Sequence, residues 1–269
     1  MVKLIVCDID NTIVSKHKKP SVRTMNCLHE FEKRGILFGF ASGRTTRMLK
    51  DLAEQWNIKV DLMIGLNGGE YLDTLTGEYD VLPKMSGEDL REVFKIMEPF
   101  KDVVNPSLIR NGELLVRRID EQILNSINYN KSGLLPRAAI DDEEFFTQEA
   151  YKIGFRMKPE TMPKVEAHAS KFHSNRYKSF KTEFTMYEFC PGDVNKGEML
   201  KRFCDRHNID IKDTYAFGDM DNDISILEVA GTSVCLLNGS DNAKAISDYV
   251  TEKTIDDDGF ADYVERYIL

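Results

Sequence analysis

The sequence predicts an α/β protein: a doubly wound parallel sheet interrupted by an inserted α+β unit. Three observations carry this. Apolar strand-like runs alternate with helix-periodic runs over residues 3–70, the pattern that parallel crossover units need. The alternation lapses in the middle of the chain and returns after Pro191-Gly192. The intervening stretch mixes amphipathic helical segments with alternating strands, which marks a separate layer. The expected division is a Rossmann-like core of residues 1–82 and 190–269, with residues 83–189 as an inserted cap.

Taken in order, Lys3 to Cys7 reads as a buried strand that stops at Asp8. Ser21 is an N-cap, Val22, Met25, Leu28 and Phe31 recur at helical spacing, and Gly35 stops that helix. Ile36 to Ala41 is a second strand ending at Ser42-Gly43-Arg44, and Met48, Leu49, Leu52, Ala53 and Trp56 form one face of the next helix. Val60 to Ile64 is a third strand, closed by Asn67-Gly68-Gly69. Asp73 to Gly77 is a turn between two short strands. In the cap, Leu114 to Ile119 and Phe184 to Phe189 read as strands, and the polar tract Lys171 to Lys181 as a loop or hairpin. The core resumes with a helix from about Lys196, a strand Thr214 to Phe217 ending at Gly218-Asp219, a short helix, a strand Ser233 to Leu237 and two terminal helices.

Composition narrows the function classes. The 269 residues carry 36 Lys and Arg against 45 Asp and Glu, a net charge of −9. That argues against bulk attraction to nucleic acid or anionic membranes, while leaving room for a local anion pocket. No apolar run approaches the roughly 18 residues of a membrane helix, and the start has no secretory pattern. Five scattered cysteines with no CxxC pair argue against a disulfide framework or a zinc site. A cytoplasmic monomer or weak homodimer is expected.

Four sets of residues stand at strand ends or helix starts, where open parallel sheets build their sites. They are Asp8-Ile9-Asp10-Asn11-Thr12, Ser42-Gly43-Arg44, Lys196-Gly197 and Gly218-Asp219-Met220-Asp221-Asn222-Asp223. Any one alone reads equally well as a solvated loop or a helix cap. Together they gather Asp8, Asp10, Asp219 and Asp223 at one sheet edge. Crowded carboxylates without a cation push one another's pKa values up. Hard oxygen ligands with few imidazoles suit Mg²⁺. Ser42 at a helix start can cap the helix and also serve an anion. Lys196 sits where the helix dipole disfavours a cation, so it is either a solvated surface lysine or a partner for the carboxylates and a bound anion. On the dipole alone, Lys196→Ala would slightly stabilise the metal-free chain.

In this order and spacing, the four sets resemble the signature motifs of the haloacid dehalogenase superfamily. The large insert between the second and third sets is similar to that of its Cof-type phosphatases. Asn67-Gly68-Gly69, Asn238 and Asp258-Gly259 resemble further signatures of that branch. The resemblance implies Mg²⁺-dependent hydrolysis of small phosphorylated metabolites, sugar phosphates foremost. Asp8 would be the nucleophile that forms an aspartyl-phosphate, and Asp10 the general acid and base. The metal would be held by the Asp8 carboxylate, the Asp10 carbonyl and Asp219, with Asp223 in its outer shell or orienting Lys196. Ser42, Gly43, Arg44, Lys196 and Asn222 would bind phosphate or substrate, and Thr12 would stand behind them. Asn11 departs from the branch's usual glycine, which calls for a left-handed backbone that Asn tolerates. Asn238-Gly239 departs from the usual Asn-Ala.

Two alternatives share parts of this pattern. A phosphomutase of the same superfamily would keep both aspartates but return the phosphoryl group to substrate. A phospho-receiver module would also place acids and a lysine on a doubly wound sheet, but it needs neither a large cap nor the Asp8-x-Asp10 pair. Of the cap arginines Arg110, Arg117, Arg118, Arg156 and Arg176, most are expected to face solvent, and Trp56 is expected in the core.

Overall fold

The chain opens with β1 (Leu4–Cys7), whose four residues are all buried. A computed structural model describes residues 2–15, 19–110, 113–130 and 135–269. Next comes α1 (Val22–Lys33), where the Ser21 side chain accepts from the Thr24 amide and Cys27, Leu28 and Phe31 point inward. Gly35, at φ +69°, takes the left-handed turn out of the helix. The next elements are β2 (Leu37–Ala41), α2 (Thr46–Trp56), β3 (Leu62–Gly65), β4 (Glu70–Asp73) and β5 (Glu78–Val81).

The chain then builds a second unit, Pro83–Val194. It contains α3 (Gly87–Met97), β6 (Asn105–Arg110), β7 (Glu113–Val116), α4 (Glu121–Asn130), β8 (Leu135–Ala138), β9 (Ile153–Arg156), α5 (Met162–Ala169), β10 (Tyr177–Glu183) and β11 (Met186–Pro191). The first unit resumes with α6 (Lys196–His207), β12 (Thr214–Gly218), α7 (Ile224–Leu227), β13 (Thr232–Cys235), α8 (Asp241–Ile246), β14 (Tyr249–Val250) and α9 (Gly259–Tyr267). Among the described residues, no helix is long and apolar enough to cross a membrane.

The first unit is an eight-stranded sheet in the order β14-β13-β12-β1-β2-β3-β4-β5. Strands β14 through β3 run parallel, and β4 and β5 add an antiparallel edge. The alternation of a strand shows in β1. Ile5 and Cys7 pack with Phe31 of α1, Leu49 of α2 and Phe260 of α9 on one face. Leu4 and Val6 pack with Leu200 and Phe203 of α6 and Leu227 of α7 on the other. Helices therefore cover both faces, and β1 lies mid-sheet with its C-terminal end facing the loops. Trp56 packs edge-on against Phe40, with ring centroids 5.8 Å apart.

The second unit is a six-stranded sheet, β10-β11-β9-β6-β7-β8, mostly antiparallel. Its apolar centre joins Phe94 of α3, Val165 of α5, Phe155 and Phe189. Each such fully buried aromatic or aliphatic side chain contributes roughly 1.5–3 kcal/mol. Three expectations need correction here. The polar tract ending at Lys181 is half strand, because β10 is a sheet edge where Lys178 and Lys181 need pair on one side only. The strand expected from Phe184 begins at Met186, and the two residues before it form the turn from β10. Strand β7 stops at Val116, where Arg117 turns to a bidentate pair with Asp142.

Candidate active site

The loop after β1 is held tightly. Asp8 donates its amide to the Phe217 carbonyl of β12 at 2.9 Å, which keeps the β1 and β12 ends together. The amides of Thr12, Ile13 and Val14 all turn back to the Ile9 carbonyl. Asn11 sits at φ +64°, the left-handed conformation expected of that position. Asn238 explains itself here. Its side chain donates to the Asn11 carbonyl at 2.9 Å and accepts from the Ile255 amide at 2.8 Å, so it pins this turn to the C-terminal segment.

Lys196 is the first residue of α6, whose Asn195 cap accepts from the Gly197 and Glu198 amides. Gly197 permits this placement, because a Cβ there would lie 2.1 Å from the Ser225 carbonyl. The ammonium donates to Asp8 Oδ1 at 3.1 Å, to Asp223 Oδ1 at 2.5 Å and to the Ala41 carbonyl at 2.7 Å. Lys196 and Asp223 are 0% exposed, Asp219 2% and Asp8 7%. The solvated-lysine reading is thereby excluded. All three ammonium donors are committed to the protein, so contact with a phosphoryl oxygen requires one of them to be released. The geometry also reverses the dipole expectation. A dipole penalty is about 0.3–1 kcal/mol, whereas breaking a buried ion pair costs about 3–5 kcal/mol.

Asp223 is held on its other side as well. Its Oδ2 accepts from the Asp219 and Met220 amides at 3.0 and 3.1 Å. Asp219 in turn accepts from the Thr12 hydroxyl at 3.0 Å. Burial drives the Asp8 carboxyl up to about 7, with the Asp223 and Asp10 charges adding and Lys196 opposing. Burial also raises Asp219 well above the carboxylate range, reinforced by the Asp8 and Asp223 charges. Burial works against the Lys196 ammonium, but the Asp223 and Asp8 charges outweigh it, and its pKa ends above the usual lysine value.

The second set lies in the turn between β2 and α2. The Ser42 amide donates to Ile64 and its carbonyl accepts from Asn67, which ties the turn to the end of β3. Thr45, not Ser42, caps α2, with its hydroxyl accepting from the Met48 amide. The Ser42 hydroxyl instead accepts a long bond from the Arg44 amide at 3.4 Å. Gly43 stands between them. Arg44 lies in the turn just before α2. Its guanidinium grips both oxygens of Asp10, at 2.7 and 3.1 Å. Asn222 donates its amide to Asn67 Oδ1 at 3.0 Å, while its own Oδ1 is buried without a partner. Asn67, at φ +59°, is thus part of the site's support.

Asp8, Lys196, Asp219 and Asp223 therefore meet at one point, with the Asp10–Arg44 pair in the adjoining loops. Candidate ligand oxygens of Asp8, Asp219 and Asp223 all lie within 4.8 Å of one another. Three carboxylates facing one ammonium leave two negative charges uncompensated when ionised, and the donors are hard oxygens. That set fits a divalent cation of the Mg²⁺ type. One further buried carboxylate lies behind the turn that carries Arg44 and belongs to none of the four motifs. Glu70, at the start of β4, is buried and bonded to Thr46. An acid opening a strand immediately after Gly68-Gly69 was the available signal.

A family model described as haloacid dehalogenase-like hydrolase matches residues 5–264. The chain belongs to that family. Relatives of this hydrolase carry different substrates in their names. A 5-amino-6-(5-phospho-D-ribitylamino)uracil phosphatase of Bacillus subtilis is 22% identical over 275 residues, spanning 98% of this chain and 97% of its own. A phosphoglycolate phosphatase of Methanopyrus kandleri is 26% identical over 259 residues, spanning 94% and 91%. A solved structure of a subclass IIB sugar phosphatase of the superfamily superposes with a TM-score of 0.79 at 20% identity, over 99% of both chains. That match shows a shared fold with the hydrolase.

Proposed function

We propose that the hydrolase is a Mg²⁺-dependent phosphatase acting on small phosphomonoesters, sugar phosphates foremost, through an aspartyl-phosphate on Asp8. The observation that carries this reading is the buried Asp8–Lys196–Asp223 array beside Asp219. A purely structural role would not bury three carboxylates around a single ammonium, because desolvation makes such a cluster costly. The phosphatase names of full-length relatives support the same reaction class.

In this reading Asp8 attacks phosphorus, and Lys196 holds its carboxylate in position while offsetting the negative charge that gathers at the phosphoryl group. Asp10 gives a proton to the leaving oxygen and later takes one from the hydrolytic water. Arg44, already on both Asp10 oxygens, aims that carboxyl. Ser42 and Asn222 offer a hydroxyl and an amide to the phosphoryl oxygens. A bound Mg²⁺ would be held by Asp8, Asp219 and the Asp10 carbonyl, with Asp223 supporting Lys196; it would let an anionic carboxylate approach an anionic phosphate. Pro83–Val194 would serve as the cap that selects the leaving group.

The test is phosphate release from a panel of hexose, pentose, glycolate and nucleotide monophosphates, with Mg²⁺ and with chelator. Mg²⁺-dependent release of inorganic phosphate from some of them is expected, which also separates hydrolysis from phosphoryl return to substrate. Undiminished release in excess chelator, or action on phosphoproteins alone, would contradict the proposal.

A further inference from the structure

We infer that Glu70 is a positioning residue for the acid/base step, acting through the start of α2 on Arg44 and thereby on Asp10. Glu70 is 7% exposed and lies at the first position of β4. Its Oε2 accepts both the Thr46 amide at 2.6 Å and the Thr46 hydroxyl at 2.8 Å. Thr46 opens α2, so its amide is one that the helix itself cannot satisfy. A carboxylate placed there both satisfies the amide and complements the positive end of the helix dipole. The usual device for this end, the Thr45 cap, is also present and serves the Met48 amide. The first turn of α2 is thus fixed from two sides.

That double fixation has a purpose two residues upstream, at Arg44. The Arg44 carbonyl accepts from the Leu66 amide at 2.8 Å. Gly65 packs so closely that a Cβ there would lie 2.9 Å from the Thr46 nitrogen, 3.0 Å from the Arg44 carbonyl and 3.1 Å from Glu70 Oε2. Glu70, Gly65, Thr46 and the Arg44 backbone therefore form one packed joint. From that joint the Arg44 side chain reaches Asp10 with two bonds. Loss of Glu70 would leave a buried amide and hydroxyl of Thr46 unpaired, and the turn that aims Arg44 would move to find other partners. Glu70 itself touches no reacting atom.

This rests on the reading of Asp10 as the acid that protonates the leaving oxygen, and the experiment separates the two. An alkyl phosphate turned over by the wild-type chain needs that proton, whereas p-nitrophenyl phosphate releases an anion stable enough to leave without it. Glu70→Ala should lower kcat/KM on the alkyl phosphate by about 10- to 100-fold, the size of a small misplacement of a reacting group. It should change kcat/KM on the aryl phosphate little, whereas hydrolysis of the shared aspartyl-phosphate, which uses Asp10 as base, enters kcat on both substrates. Glu70→Gln keeps an oxygen that can accept both Thr46 bonds and should retain near-wild-type rates. Should Glu70→Ala fail to fold, Thr46→Ala, which removes the hydroxyl bond and keeps the amide bond to Glu70, should show the same split at smaller size. Equal loss of kcat/KM on both substrates, or no loss on either, would overturn the inference. Asp10→Asn provides the control: kcat/KM, which reports the steps through departure of the leaving group, should fall by about 10² to 10⁴ on the alkyl phosphate and little on the aryl phosphate, while the hydrolysis step common to both substrates slows kcat on either. An Asp10→Asn variant lacking that split would overturn the acid role of Asp10, and this inference with it.

Discussion

The two units of the hydrolase differ in how they gather buried charge. In the core, Asp8, Asp219, Asp223 and Lys196 are withdrawn from water at the ends of β1 and β12 and the start of α6. In Pro83–Val194 many charged pairs stay wet: Lys101–Glu98 is 55% and 59% exposed, and Arg137–Glu113 is 43% and 53% exposed. Wet pairs contribute little and tolerate change. Buried ones are retained at a desolvation cost, which points to function rather than stability. A parallel sheet brings strand ends and helix starts to one edge. The second unit also buries single charged side chains, Arg156 on β9 and Glu188 on β11, but among the described residues they lie apart from a cluster of this kind.

This contrast can be broken residue by residue, and the largest effect belongs to Asp8. Asp8→Asn should reduce turnover to background, because an amide is a poor nucleophile, while the fold persists by circular dichroism. Substantial activity in that variant would remove the nucleophile from the account. Lys196→Ala comes next. A loss of about 10² to 10³ in kcat is expected for a pre-organised charge, together with a lower urea midpoint, since Asp8 and Asp223 lose their partner. A variant as stable as the parent would mean that the carboxylates do not need it.

The pH response sharpens the same point. Because burial lifts the Asp8 carboxyl to about 7, the folded metal-free chain keeps a proton that the unfolded chain sheds nearer pH 4. The Asp8 contribution to stability therefore falls as pH rises between those values. A divalent cation needs the ionised carboxylates. The gain in Tm from Mg²⁺ over chelator should be larger at about pH 7.5 than at about pH 5. An equal gain at both would show that the cation binds elsewhere. The smallest effect is reserved for the second unit: Lys101→Ala should leave Tm and kcat near those of the parent in parallel assays.

The difference between the units also governs what could be read from sequence. Core strands end abruptly at Asp8, Ser42 and Gly218-Asp219, and each apolar run is buried on both faces, so strand and motif announce one another. The second unit lacks that punctuation. Its edge strand β10 is polar enough to pass for a loop, and the start of β11 differs from the expected one by two residues. Within the site, residue types at strand ends were legible, but pairings were not. Arg44 on Asp10, Asn222 on Asn67 and Asn238 on Asn11 join residues 34, 155 and 227 positions apart. Only the folded sheet brings those together. Lys196 shows the limit most clearly, since its place at a helix start argued against a cation until three acceptors were seen around it.

The central claim is that Asp8 carries the phosphoryl group during turnover. Borohydride added during steady-state hydrolysis reduces an acyl phosphate to an alcohol, which converts a phosphorylated aspartate to homoserine. Peptide mass spectrometry should then find homoserine at position 8 in the wild-type hydrolase, dependent on substrate, and none in Asp8→Asn. Phosphate release with unmodified Asp8, or with the label on another carboxylate, would contradict the account.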